Sequence, residues 1–149
     1  MTTPDERAKA LGIQFSKPAE RTYLNLCVRT GNLLITSGHV SDIKGKLGQD
    51  LSVEEGVAAA REAMIKVLNS VWVANNGTLN NLRVLKLLGC VNAAPDFTDC
   101  SKVINGASDL IHEIFGKEDA GYHARSALGF ATLPLRVAVE IEGIFEIVS

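Results

Sequence analysis

The sequence predicts an α+β fold: a mixed sheet of about five to six strands with two long helices on one face. Three observations predict it. Two stretches, 53–74 and 100–115, repeat apolar residues at helical spacing and carry their own start and stop signals. Five other stretches read as extended. The order, after a small leading helix, is ββαβαββ, which lacks the strict strand–helix alternation of a parallel α/β protein.

Bulk properties narrow the class. The chain has 149 residues, enough for one domain with one core, read as 1–149 with residues 1–21 a leading helix and linker. Apolar residues make up 46%, which excludes a disordered chain. The net charge is −2 with acids and bases interspersed, so no basic block asks for nucleic acid. The start, Met1-Thr2-Thr3-Pro4-Asp5-Glu6, lacks a signal peptide's basic region and apolar run. No apolar run reaches the ~18 residues of a membrane helix, and a cytoplasmic protein is expected. Cys27, Cys90 and Cys100 are odd in number and without CxxC spacing, and they read as buried reduced thiols. His39, His112 and His123 are scattered, so no metal site is expected.

Thr3 caps a short helix to Leu11. Pro4 suits its first position, Asp5 and Glu6 suit the positive end of its dipole, and Gly12 ends it. Residues 13–21 have no period and read as a surface linker. Tyr23 to Arg29 and Leu33 to Ser37 read as a hairpin around Thr30-Gly31-Asn32. The second arm runs out in Thr36-Ser37-Gly38-His39, small polar residues where a strand stops or a backbone comes close to a ligand. Val40 to Leu51 reads as a solvated loop with Gly45 and Gly48, and it lacks the GxxxxGK[ST] of a phosphate loop.

Ser52-Val53-Glu54-Glu55 is a capping box opening the best-defined helix. Val53, Val57, Ala60, Met64, Val67, Val71 and Ala74 form its apolar stripe, Trp72 lies at the stripe's edge, and Asn75-Asn76-Gly77 stops it. At ~1.5 Å per residue it is about 33 Å long, enough to cross a sheet. Leu82 to Asn92 is almost continuously apolar and reads as a central strand broken by Ala94-Pro95-Asp96. Asp99 is placed to cap a helix from Cys100 to Phe115, with Val103, Ala107, Leu110 or Ile111, and Ile114 inward and Gly116 at its end. A charged loop, Lys117 to Tyr122, leads into two extended segments joined at Leu133-Pro134. In the second, Val137, Val139, Ile141, Phe145 and Ile147 share one face; Glu140, Glu142 and Glu146 share the other. Apolar residues fall on both faces of the strands (Leu34 and Ile35; Leu87 and Leu88; Val139 and Ile144), so a second covering is needed, most simply other copies of the chain.

The candidate chemistry is Arg125 closing on Glu140 or Glu142 from a neighbouring strand. Arginine is always charged, and its planar fork matches a carboxylate at two points. A glutamate in reach can hold or deprotonate a water. The residues alone favour a structural Arg–Glu pair across strands. GxSxG and GxGxxG are both absent.

Ala124-Arg125-Ser126, Gly129, Ala131, Leu133-Pro134 and Val137-x-Val139-Glu140-Ile141-Glu142 resemble the C-terminal signature of the Rid family, the reactive-intermediate enamine/imine deaminases. These are also called YjgF-type proteins, and in older labels L-PSP endoribonuclease-like or translation-inhibitor proteins. Gly31-Asn32-Leu33-Leu34-Ile35-Thr36-Ser37-Gly38 resembles the family's hairpin, and Val103-Ile104-Asn105-Gly106 the start of its second helix. The likeness covers about residues 22–148, and the fifteen-residue step from Arg125 to Glu140 agrees with it.

The resemblance implies a chorismate-mutase-like fold and a homotrimer with clefts between subunits. It implies hydrolysis of 2-imino acids, released as enamines by PLP-dependent enzymes, to 2-keto acids and ammonia, with no metal or cofactor of its own. Arg125 would bind the substrate carboxylate and Glu140 would orient the water. Asn105, Ser37 and Gly38 would line the cleft, and Tyr23 stands near the family's cleft tyrosine, one residue out of register with Gly31. The sequence departs from the family where many members carry Cys two residues after the arginine; here Ala127 stands. Residues 1–21 and the Ala93–Lys102 loop resemble a longer subgroup. The competing reading is a non-catalytic trimer binding small carboxylates. A ribonuclease is disfavoured by the lack of a basic stripe and of aromatic stacking platforms. The roles of Glu142, His39 and His123 stay open.

Overall fold

The computed structural model describes residues 2–149. Its elements are α1 (Pro4–Ala10), β1 (Cys27–Thr30), β2 (Leu33–Thr36), β3 (His39–Val40), α2 (Val53–Ala74), β4 (Leu82–Asn92), α3 (Cys100–Phe115), β5 (Ala124–Phe130), a 3-10 turn (Pro134–Arg136) and β6 (Val139–Ile147). The sheet runs β1-β2-β6-β4-β5, with β3 also paired to β6. Only β4 and β5 pair in parallel, and α3 is the crossover such a pair requires. The mixed α+β architecture is the one the sequence predicts, with β3 as a short addition.

Local signals set the helix ends. Thr3 accepts from the Glu6 N–H while the Glu6 side chain reaches back to Thr3, a full capping box. Ser52 and Glu55 repeat the arrangement at α2. Asp99 occupies the cap position of α3 but its side chain makes no capping bond; its carboxylate lies 3.7 Å from Lys102 Nζ instead.

The core lies between the two long helices and one face of the sheet. Leu34, Leu87, Val139, Ile141 and Phe145 meet Met64, Val67, Leu68, Val71, Ile104, Ala107 and Ile111, all fully buried. The buried stripe of α2 is rotated from the predicted one at its start: Gly56, Ala59 and Ala63 are inside, while Val53 and Val57 are half-buried. The cause is α3, which approaches so closely that a Cβ on Gly106 would collide with the Val57 carbonyl.

Other expectations need correction. The first hairpin arm starts at Cys27 and not at Tyr23. The Asn25 side chain accepts from the Cys27 N–H at 3.3 Å, a local turn that holds 23–25 off the ladder. Residues 13–21 do not simply lie on the surface: Ile13 and Phe15 pack on the core, and the Phe15 ring sits 5.9 Å from that of Trp72. The 40–51 segment is more than solvated loop, since Leu47 is fully buried and Lys46 Nζ donates to Asn92 Oδ1 at 2.7 Å.

The other face of the sheet carries Val28, Ile35, Ile144, Leu88 and Leu128 beside Lys86, Glu140 and Glu142, as strand alternation and register require. Val28 is 48%, Ile35 39% and Leu128 50% exposed, so no element of the chain covers this face there.

Candidate functional site

Arg125 lies on β5, an edge strand of the sheet. It pairs with Leu87, a core residue, so its side chain is on the helix face of the sheet. There α3 supplies two acceptors. Arg125 Nη1 donates to Asn105 Oδ1 at 2.8 Å and to Ser108 Oγ at 3.2 Å. Asn105 and Ser108 are one helical turn apart and so share a helix face. The sequence singled out Asn105 and missed Ser108, although the Asn-x-x-Ser spacing on an amphipathic helix was its signal.

The guanidinium is half-buried and forms no ion pair among the described residues. Its Nη2 and Nε have no protein partner among the described residues. A structural Arg–Glu pair across strands, which the residues alone allowed, is therefore not formed within the chain.

Glu140 lies on β6 and pairs with Cys90 of β4. Cys90 is three residues beyond Leu87, so Glu140 is on the open face. The expectation that Arg125 and Glu140 sit on neighbouring strands fails, because β4 runs between β5 and β6. Glu142 shares the open face with Glu140, and no ion pair joins it to Arg136 among the described residues.

Gly38 adjoins Glu140 so closely that a Cβ would fall on the carboxylate, 2.9 Å from its Cδ. Ser37 is held beside it: its N–H donates to the Leu26 carbonyl at 2.9 Å and its hydroxyl to the Asn25 carbonyl at 2.9 Å. These bonds tie the 22–26 segment, with a fully exposed Tyr23, to the Glu140 half of the site. Behind it, His39 is buried, with Nδ1 2.7 Å from the Ser37 carbonyl and Nε2 2.7 Å from Ser70 Oγ.

The candidate residues thus form two half-sites. Arg125 and Asn105 stand together at the β5 edge. Glu140, Gly38 and Ser37 stand together on the open face, and Tyr23 stands on the irregular segment that Ser37 binds at Asn25 and Leu26.

Electrostatics separate the halves further. Burial, and then the charge of Glu142, raise the Glu140 carboxyl above its ordinary value. That makes it a stronger base than an exposed glutamate. Cys90 beside it is pushed up to about 11, by burial first and then by Glu140 and Glu142, so the thiol stays protonated. Burial likewise pushes Cys27 up to about 11 and raises Cys100. Among the described residues no three His, Cys, Asp or Glu side chains gather to hold a metal ion.

Two clefts open away from Arg125 and Glu140, one of them lined by Tyr23. One of about 550 Å³ lies under residues 17–27 against Asn69, Ser70 and Val73 of α2. One of about 250 Å³ lies between Lys46 and Arg136. Neither contains Arg125 or Glu140. No helix among the described residues is long and apolar enough to cross a membrane.

Residues 15–147 match the sequence family described as Endoribonuclease L-PSP. Protein TCP17 of Trypanosoma cruzi is 46% identical over 103 residues, 69% of this chain and 64% of that protein; this chain spans less than two thirds of that relative's length. The crystal structure of Atu1372 from Agrobacterium tumefaciens, a protein of unknown function, superposes with a TM-score of 0.86 at 37% identity, over 97% of this chain and 94% of that one. E. coli TdcF, solved with bound serine, shares the fold at a TM-score of 0.56 and 22% identity, over 88% of this chain and 91% of that one.

Proposed function

Since the chain belongs to the endoribonuclease L-PSP family, the Rid or YjgF-type proteins, we propose that it hydrolyses 2-imino acids to 2-keto acids and ammonia in clefts between copies of a homotrimer. The observation that carries this reading is the state of Arg125: a half-buried guanidinium anchored by two neutral acceptors, with no carboxylate partner among the described residues. A cation held this way has its remaining fork available for the carboxylate of a ligand. The serine bound to E. coli TdcF is a carboxylate of the size we assign to this chain.

The two half-sites and the uncovered apolar face support assembly. Arg125 and Glu140 point to opposite faces and cannot meet inside one chain. A second copy laid against the open face brings its β5 edge to Glu140 and covers Val28, Ile35 and Leu128 at once.

In such a cleft the chemistry is short. Arg125 fixes the substrate carboxylate, and Asn105 holds the guanidinium for it. Glu140 of the other copy takes a proton from water as the water oxygen bonds to the imine carbon, and passes it to the imine nitrogen as the C=N π bond opens. The resulting carbinolamine collapses: its hydroxyl proton passes by way of Glu140 to the amine nitrogen, the C=O bond forms as the C–N bond breaks, and ammonia and the keto acid leave. Water and imine are consumed and keto acid and ammonia appear, with no redox change. The imine carbon is already electrophilic, so holding the reactants in place supplies much of the acceleration. Exclusion of bulk water strengthens the Arg125–carboxylate contact.

The second reading is a trimer that binds small carboxylates without turning them over. Ala127, where many relatives carry Cys, is the observation that favours it. Both readings keep Arg125; only the first needs Glu140 to position water. The deciding experiment generates an enamine in situ with a PLP-dependent dehydratase and follows keto-acid and ammonia release. Acceleration by the wild type that is lost in Arg125→Ala and in Glu140→Gln is the expected result. No acceleration across several amino-acid-derived enamines sinks the deaminase. Retained keto-acid binding in Glu140→Gln then identifies the binding trimer.

A further inference from the structure

We infer that Ser108 and His123 are positioning residues for Arg125, forming a one-directional hydrogen-bond chain that fixes the guanidinium in the orientation the ligand carboxylate requires. The inference rests on the carboxylate-binding reading of Arg125 given above.

The chain is set by which groups can only donate and which can only accept. His123 Nδ1 lies 2.7 Å from the Gly121 carbonyl, which can only accept, so Nδ1 carries the proton. In a neutral ring Nε2 is then an acceptor. It lies 2.9 Å from Ser108 Oγ, so the serine hydroxyl donates to it. With its one proton committed, Ser108 Oγ presents lone pairs to Arg125 Nη1 at 3.2 Å, and arginine can only donate. Each bond fixes the direction of the next, from Arg125 through Ser108 and His123 to Gly121.

The ring is kept neutral by its surroundings. Burial is the first cause that lowers the His123 value, and His112 and Arg125 act in the same direction against the Gly121 bond. The His112 ring on α3 stands 5.5 Å away. His123 immediately precedes β5, and its bond to Ser108 puts its ring on the α3 side, where Arg125 also lies, while Ser108 is one turn from Asn105 on α3. Asn105 and Ser108 together give Nη1 two anchors, which a single acceptor would leave free to pivot.

Two measurements on the whole protein test this. The first is the rotation rate of the Arg125 Nε–Cζ bond by 15N NMR without ligand. The second is the calorimetric Kd for 2-oxobutanoate. Ser108→Ala, which removes a bond to the charged guanidinium, is expected to speed rotation and weaken 2-oxobutanoate by about tenfold, and His123→Phe, which removes only the neutral bond that directs the Ser108 hydroxyl, by about threefold. Ser108→Thr keeps the hydroxyl and is expected to stay within about twofold of wild type in both. Unchanged rotation in folded Ser108→Ala and His123→Phe overturns the inference. So does unchanged affinity in both variants where Arg125→Ala abolishes binding. Faster rotation in the variants, with no 2-oxobutanoate bound by the wild type, upholds the hydrogen-bond chain and removes the carboxylate reading instead.

Discussion

Arg125 and Glu140 lie on opposite faces of one sheet, on strands separated by β4. If one cleft uses both, two copies must supply them. In the proposed deaminase trimer, Arg125→Ala and Glu140→Gln are each expected to abolish activity on imino acids. Mixed trimers refolded from equal amounts then recover about a quarter of the wild-type rate, because an interface is intact only when each side brings its unaltered residue. A mixture that stays inactive while forming trimers rules out the shared site.

Gly38 is the next place where the site can be tested. Its missing side chain leaves the space in which the Glu140 carboxylate rests. Gly38→Ala places a Cβ there, and the carboxylate, being the end of a flexible side chain, moves aside. With Glu140 as the proposed water-activating group, the expected outcome is a loss in kcat of about tenfold to a hundredfold, the cost of a displacement near 1 Å at a reacting group. The melting temperature should change little. A variant with wild-type kcat would show that Glu140 need not stay where it is.

Gly106 tests the fold. A Cβ at Gly106 meets the Val57 backbone carbonyl, which cannot swing away. Gly106→Ala must push α3 off α2, and a loss of about 3 kcal/mol is expected in urea unfolding. It should also weaken ligand binding, since Asn105 and Ser108 ride on α3. A variant as stable as wild type would mean that the helices separate at no cost.

Glu142 sets part of the basicity of Glu140. The two share the open face two residues apart on β6, and the Glu142 charge adds to burial in raising the Glu140 carboxyl. Glu142→Gln removes that charge and is expected to move the Glu140 titration down toward its ordinary value. Carboxyl 13C NMR across pH 3–8 reads it directly. No downward movement would show that burial alone sets the value.

What the sequence disclosed follows from how local its signals are. The capping box at Ser52 fixed α2, and the apolar run from Leu82 to Asn92 marked a strand with neighbours on both sides. Asn105 was reached through resemblance, and the structure places it on Arg125. The step of fifteen from Arg125 to Glu140 counts residues along the chain and contains nothing about β4 entering between their strands, because register is a long-range property. The alternation beginning at Tyr23 looked like strand, but Asn25 bonding its own backbone overrode it. Ser108 and His123 were each visible at the right spacing, three from Asn105 and two from Arg125. Only the packing of α3 on β5 shows that the two spacings converge.

His39 links the wall of the site to stability. It is buried, with both ring nitrogens engaged by Ser37 and Ser70. Burial is the first cause that lowers its value below 6.5; Lys66 acts the same way, and the Ser37 carbonyl opposes both. The unfolded chain titrates near 6.5, so between that pH and the lower folded value the unfolded state binds more protons. Stability is therefore full above about pH 6.5 and falls as pH drops through that window. His123, also lowered, adds to the fall. His39→Gln removes one of the two titrations. It is expected to be less stable than wild type at pH 7.5, because the Ser37 and Ser70 contacts are disturbed, yet to lose less melting temperature between pH 7.5 and 5. A wild-type loss across that range in the variant would show that His39 is as free to take a proton in the folded chain as in the unfolded one. The wall at Ser37 and Gly38 would then not depend on a neutral imidazole.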